Sequence, residues 1–406
     1  MFQPEFSLPV ALPLRFFRTA PLWLALAALA AFGLEAGEWP QRYSPALLAI
    51  THLLMLGFIG NIMVGALLQV CAVLTGIRAQ HPERWGWMLW LGLQTGTALL
   101  ALGLWQMQTH YLQTAAVLLL LSLGALAVWL LTMLWRSRQA SALVYPIAGL
   151  ALTVLSGALL VGVLSVAWPA LPLADLLRAH ITLGSMAWIF ALIIVVGLTV
   201  IPMFLVAPSW PARISRYLPA GLAIAVLGAV INAQLLVLLL MPALIWLIAL
   251  YRLLHQSQRR ADPARYLWAW GGFNLIVCTA LVPWLDGLST SWPAQEGIPV
   301  LLALHFIVAG LLPIFTAMQA KIIPFLLWMD YRLQVLSGGQ LRHMGQLWPE
   351  KHLKRLSYLV YLLGISLLPL YLFAFKAIPA LIMIFAAALS YCLERAIVHK
   401  KRACVS

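Results

Sequence analysis

"AITHLLMLGFIGNIMVGALLQV", Ala49–Val70, carries no charged residue and a single histidine, His52, near its start. An uncharged run of this length is enough to cross hydrocarbon as a helix, which takes about 20 residues. An ionisable ring inside it is expensive and marks a site by default. The same arrangement recurs in "LRAHITLGSMAWIFALIIVVGLTVIPMF", Leu177–Phe204, with His180, and in "LLALHFIVAGLLPIFTAMQAKIIPF", Leu301–Phe325, with His305.

Around these three stretches the chain is apolar throughout. It is 64% hydrophobic and 9% charged over 406 residues, and its mean hydropathy is +0.97. Apolar runs of spanning length repeat from end to end, which predicts an all-α integral membrane protein. The short alternating segments of a membrane barrel do not occur. The N-terminus lacks a short apolar segment ahead of a small-residue cleavage site, so no removed signal peptide is expected.

Twelve spans are expected, at about 20–36, 45–75, 86–105, 112–135, 142–167, 175–206, 216–232, 234–254, 265–285, 298–328, 355–374 and 377–397. The seventh and eighth share one apolar run, with Asn232-Ala233-Gln234 as its turn. Twenty-one of the 25 Lys and Arg residues fall on one side of this topology. Cytoplasmic loops collect Lys and Arg, so both termini are expected in the cytoplasm of a multi-pass protein of a bacterial inner membrane. The net charge of +14 is thereby used in orientation, and no nucleic-acid partner is expected. Cys71, Cys278, Cys392 and Cys404 have no paired spacing, which disfavours a disulfide or zinc framework.

His52, His180 and His305 stand 128 and 125 residues apart, on the second, sixth and tenth spans. Each falls five to seven residues into its span, roughly 8–11 Å below the outer surface at the helical rise per residue. Gly57, Gly184 and Gly310 follow them, and "VIPMF" (Val200–Phe204) parallels "IIPFL" (Ile322–Leu326). One membrane domain built of three four-helix pseudo-repeats, about 20–135, 142–254 and 265–397, accounts for this pattern.

Three imidazoles at one depth suit metal ligation, because a neutral histidine bound to iron, copper or zinc avoids burying a charge. Each alone is also explained by helix capping or interhelical hydrogen bonding. The architecture and the segments "HLLMLGFIGN" and "HITLGSMAWIFALIIVVGLTVIPMF" resemble subunit I of haem–copper oxidases and nitric-oxide reductases. The simpler NnrS-type membrane proteins of that superfamily look closer in size. The resemblance implies that His52 and His305 hold a low-spin haem b axially, and that His180 matches a copper ligand. The chain departs from the pattern where it matters. The seventh span, "RYLPAGLAIAVLGAVINA", has no histidine pair, and Ala303 and Ile307 flank His305 where a second histidine belongs. A complete terminal oxidase is therefore not expected. The implied role is electron transfer or response to a diatomic gas such as nitric oxide, with a separate redox partner and no assigned catalytic residue.

Further candidates are weaker. Arg178, Arg42 and Lys376 are the outer cations available to haem propionates, although interfacial snorkelling also explains them. Trp188, two turns past His180, could flank a macrocycle or serve only in helix packing. Asn61, Gln69, Gln94, Thr95 and Thr97 form polar points along the second and third spans. Lys321 should snorkel to the inner surface. Trp39, Trp85, Trp87, Trp168, Trp210, Trp284, Trp292 and Trp348 are expected in an interfacial belt. The stretch 329–356 reads as a long cytoplasmic loop attracted to anionic lipid, with His343 and His352 exposed. A transporter, or an assembly factor without cofactor, is the competing class.

Overall fold

The computed structural model describes residues 8–35, 37–39, 41–77, 81–137, 141–165, 168, 170–284, 297–334 and 343–405. Among them there is no strand. Twelve helices are long and apolar enough to cross a membrane: α1 Ala11–Phe32, α2 Pro45–Thr75, α3 Pro82–Gln106, α4 Thr109–Ser137, α5 Ser141–Leu164, α6 Leu173–Leu205, α7 Ala212–Ile231, α8 Ala233–His255, α9 Pro263–Trp284, α10 Gly297–Gln334, α11 Glu350–Phe373 and α12 Ala377–Cys404. The chain is thus compatible with a twelve-span membrane protein.

Local chemistry sets the breaks. Ser44 caps α2 through its hydroxyl, and Pro45 occupies the first turn, where a missing N–H costs nothing. Gly76 ends α2 in the left-handed region. Between α7 and α8, Asn232 turns the chain and its side chain accepts from the Gln234 N–H, as the sequence predicts. Three helix termini among the described residues take left-handed backbone without glycine: His81 and Met107 at the two ends of α3, and Val206, which closes α6 at φ 49°. The α8–α9 connection holds it there: Gln258 N–H donates to the Val206 carbonyl and the Ser257 hydroxyl to that of Leu205.

α2, α6 and α10 are the inner helices. In their most apolar windows 72%, 78% and 56% of residues are buried, against 33–50% for the other nine. Their C-terminal halves converge on an apolar cleft of about 40 Å³ lined by Gln69 and Val70 of α2, Thr199 and Met203 of α6, and Ile322 and Phe325 of α10. The remaining helices wrap this core. α12 returns against α1, where Arg18 donates to Glu394 through Nε (2.6 Å) and Nη2 (3.2 Å).

Several boundaries differ from the sequence reading. α1 begins at Ala11, well ahead of the expected residue 20, so Arg15 and Arg18 lie on a helix. Arg15 stacks over the Trp87 ring at 3.4 Å, although its buried Nη1 has no hydrogen-bond partner among the described residues. α10 extends to Gln334 and α11 starts at Glu350, so much of the expected loop 329–356 is helical. His352 is consequently buried, with its ring stacked on Tyr391, while His343 is exposed. Trp39, Trp210 and Trp348, in the connections between spans, are buried against protein, whereas Trp87, Trp168 and Trp284 are exposed. Arg78, Arg138, Trp292 and Arg342 lie outside the described residues.

Candidate metal centre

Each inner histidine sits at the start of a π-helical segment. His52 immediately precedes Leu53–Gly60, His180 precedes Leu183–Phe190 by two residues, and His305 immediately precedes Phe306–Leu311. A fourth such segment, Leu120–Gly124, lies in α4. Wider π turns rotate everything beyond them relative to a straight α-helix and recur at functional sites. Glycines permit the close packing beside them. A Cβ on Gly149 of α5 would overlap the Ala187 carbonyl in the α6 π segment. One on Gly271 of α9 would come within 2.6 Å of the Gly310 carbonyl in α10. Gly57 similarly receives the Trp23 side chain from α1.

Of the three histidines, His52 and His180 are brought together. Their ring centres are 6.3 Å apart and their planes differ by 21°. Both rings are half-buried and both are held through Nδ1. His52 Nδ1 lies 2.8 Å from the Leu48 carbonyl one turn earlier. His180 Nδ1 lies 3.2 Å from the Thr153 carbonyl and 3.1 Å from the Ser156 hydroxyl, both on α5. The Ser156 hydroxyl itself donates to Thr153. A carbonyl can only accept, so Nδ1 carries the hydrogen in both rings and Nε2 keeps its lone pair. This is the tautomer a metal-ligating histidine adopts, with the distal nitrogen fixed by a carbonyl. Gly157 keeps α5 close: a Cβ there would stand 3.1 Å from His180 Cε1.

His305 is committed differently. Its Nε2 lies 2.8 Å from Asn274 Oδ1 on α9, and Asn274 Nδ2 donates to the Trp270 carbonyl. With the amide oriented by that second bond, its oxygen accepts from His305 Nε2–H. Among the described residues, no group of three or more His, Cys, Asp or Glu side chains is placed to hold a metal.

The outer cations go elsewhere. Arg178 pairs with Asp175 at 2.8 Å and donates to the Val230 carbonyl at 3.2 Å. Arg42 stacks over the adjacent Tyr43 at 4.6 Å, and Lys376 is exposed. Trp188 is buried within the π segment, its backbone nitrogen against Gly149. Asn61 donates to the Gly57 carbonyl at 2.6 Å, and Gln94 Nε2 donates to Asn61 Oδ1 at 2.9 Å. Gln94 Oε1 in turn accepts from Trp23 Nε1. Lys321, its side chain 14% exposed, pairs at 2.5 Å with Asp262, the residue that caps α9.

Ser156, Thr153 and Asn274, which orient the rings, escape a sequence reading centred on histidines. An asparagine inside an apolar span, in "WGGFNLIVC", was the available signal. No protein-family model matches the chain, and no curated protein matches it.

Proposed function

We propose that the chain is an electron-transferring membrane protein in which His52 and His180 together ligate the iron of a haem b. The observation that supports this reading is the pair's spacing. Two imidazole nitrogens about 2.0–2.1 Å from one metal ion, each roughly 1.1 Å from its ring centre, put the ring centres about 6.3 Å apart. The rings stand at 6.3 Å; the match requires the two Nε2 atoms, unprotonated in both rings, to face one another across that gap. The donor set therefore fits an iron held by two neutral nitrogens. The axial pair inferred from the oxidase resemblance is revised because the ring beside His52 is that of His180; His305 is fixed separately, its Nε2–H on Asn274.

When bound, the haem would supply one-electron chemistry. The chain's own residues hold the ligands. Leu48, Thr153 and Ser156 fix two ring orientations, α5 braces α6 through Gly149 and Gly157, and the apolar inner helices exclude water. Were both histidines to hold the iron, electron transfer would be favoured over gas binding. In this reading the π segments after the three histidines descend from an internal repeat of four helices, and both termini face the cytoplasm of a bacterial inner membrane.

A second reading rests on the same pair. Two nitrogens without a third donor also suit a two-coordinate monovalent copper ion. Purification from haem-replete cells, with iron and copper measured per chain alongside a reduced-minus-oxidised spectrum, separates the readings. Stoichiometric iron with a b-type spectrum supports haem. Copper without a visible band supports the bare metal. Protein with neither supports the transporter or assembly class and overturns the metal centre.

A further inference from the structure

α11 and α12 meet near their ends closest to Lys351 and Lys400, and the contact is specific. His352 of α11 is buried, its ring lies parallel to Tyr391 of α12 (8°, 6.2 Å between centres), and its Nδ1 stands 3.5 Å from Cys392 Sγ. Lys351, Arg355 and Arg395 all lie within electrostatic range of this imidazole, with no carboxylate among its charged neighbours. The nearby acids are engaged elsewhere. Glu350 pairs with Lys354 at 2.8 Å, and Glu394 pairs with Arg18. The three cations are exposed, so solvent screens their mutual repulsion, and an anion bound among them would remove it.

The exposed residues beyond the cations change character in order. On α11, Lys351 and Arg355 are followed one turn on by Tyr358, 70% exposed, and then by Leu362 and Ile365, 50% and 67% exposed. On antiparallel α12 the same order runs backwards: Arg395, then Tyr391 at 58%, then Ile384 at 53%. Arg395 Nη1 also donates to the Tyr391 hydroxyl at 3.1 Å. Cation, amphipathic ring and aliphatic surface match the phosphate, ester and acyl regions of a phospholipid.

We infer that the α11–α12 groove is a binding site for one anionic phospholipid, its phosphodiester held by Lys351, Arg355 and Arg395 and its chains lying along Leu362, Ile365 and Ile384. His352 is a positioning residue that holds Tyr391 and fixes the groove.

The test uses the full chain in detergent with equal phosphatidylglycerol and phosphatidylcholine, lipid retention being read by native mass spectrometry. Wild type should retain phosphatidylglycerol over phosphatidylcholine. Arg355→Gln/Arg395→Gln should lower that retention about thirtyfold, each cation near a headgroup contributing on the order of 1 kcal/mol. Arg259→Gln/Arg260→Gln, which removes the same charge at another exposed position, should retain it. Equal loss in both double variants would show only the diffuse field of a basic face and overturn the site. So would retention unchanged in the first variant. Tyr358→Ser/Tyr391→Ser keeps every cation and should weaken retention of both lipids. Inorganic phosphate in millimolar excess should fail to displace the lipid; efficient displacement would mean that a soluble anion, not a lipid, is the occupant.

Discussion

Lys321 and Asp262 join α10 to α9 at 2.5 Å with side chains only 14% and 10% exposed. Asp262 also caps α9, accepting from the Ala264 N–H at 3.0 Å. Truncating one partner strands a shielded charge, which costs 3–5 kcal/mol for a fully buried pair and less at this rim position. Lys321→Met should therefore cost about 2 kcal/mol, leaving an aspartate whose backbone bond offsets part of the loss. Asp262→Ala should cost about 3 kcal/mol, because the cap, worth about 1 kcal/mol, is lost as well. The double variant removes both charges and should cost only about 2 kcal/mol, giving a coupling of about 3 kcal/mol between the sites. Equilibrium unfolding of the four proteins by SDS titration in mixed micelles closes the cycle. Additive single effects, with coupling below about 0.5 kcal/mol, would refute the argument that this pair is shielded and shared.

Other consequences follow from single contacts. Asn274→Leu leaves the His305 Nε2–H without its acceptor and should destabilise by about 1–3 kcal/mol in the same titration; the b-type spectrum should be unchanged, because His305 is not a ligand in this account. Gly149→Val places side-chain atoms against the Ala187 backbone, which has no rotamer with which to retreat, and should sharply reduce the yield of folded, monodisperse protein in size-exclusion chromatography. Ser156→Ala leaves His180 Nδ1 bonded to the Thr153 carbonyl, so the spectrum should survive with a shifted midpoint potential in redox titration. Complete loss of the band would mean that the serine does more than orient the ring.

The fold was legible in the hydropathy because long uncharged runs have few options in a bilayer. Even the narrow turn at Asn232 was marked by its side-chain chemistry. α1 was misread because Arg15 and Arg18 look interfacial in sequence, while their partners, Trp87 and Glu394, are distant in the chain. His352 was misread for a related reason: α11 starts early enough to press it against Cys392 and Tyr391. The histidines show which part of the site sequence reaches. Spacing gives a residue's depth along a helix. It does not give the direction in which the residue points, and here the π segments alter that direction. Neighbouring helices decide the rest: Ser156 and Thr153 fix His180 through Nδ1, while Asn274 fixes His305 through Nε2.

The most direct test is low-temperature electron paramagnetic resonance of the oxidised protein and of His52→Ala, His180→Ala and His305→Ala. Two axial imidazoles with planes 21° apart predict a rhombic low-spin ferric signal in wild type and His305→Ala, abolished in the other two variants. A low-spin signal that survives His180→Ala and disappears in His305→Ala would contradict the assignment.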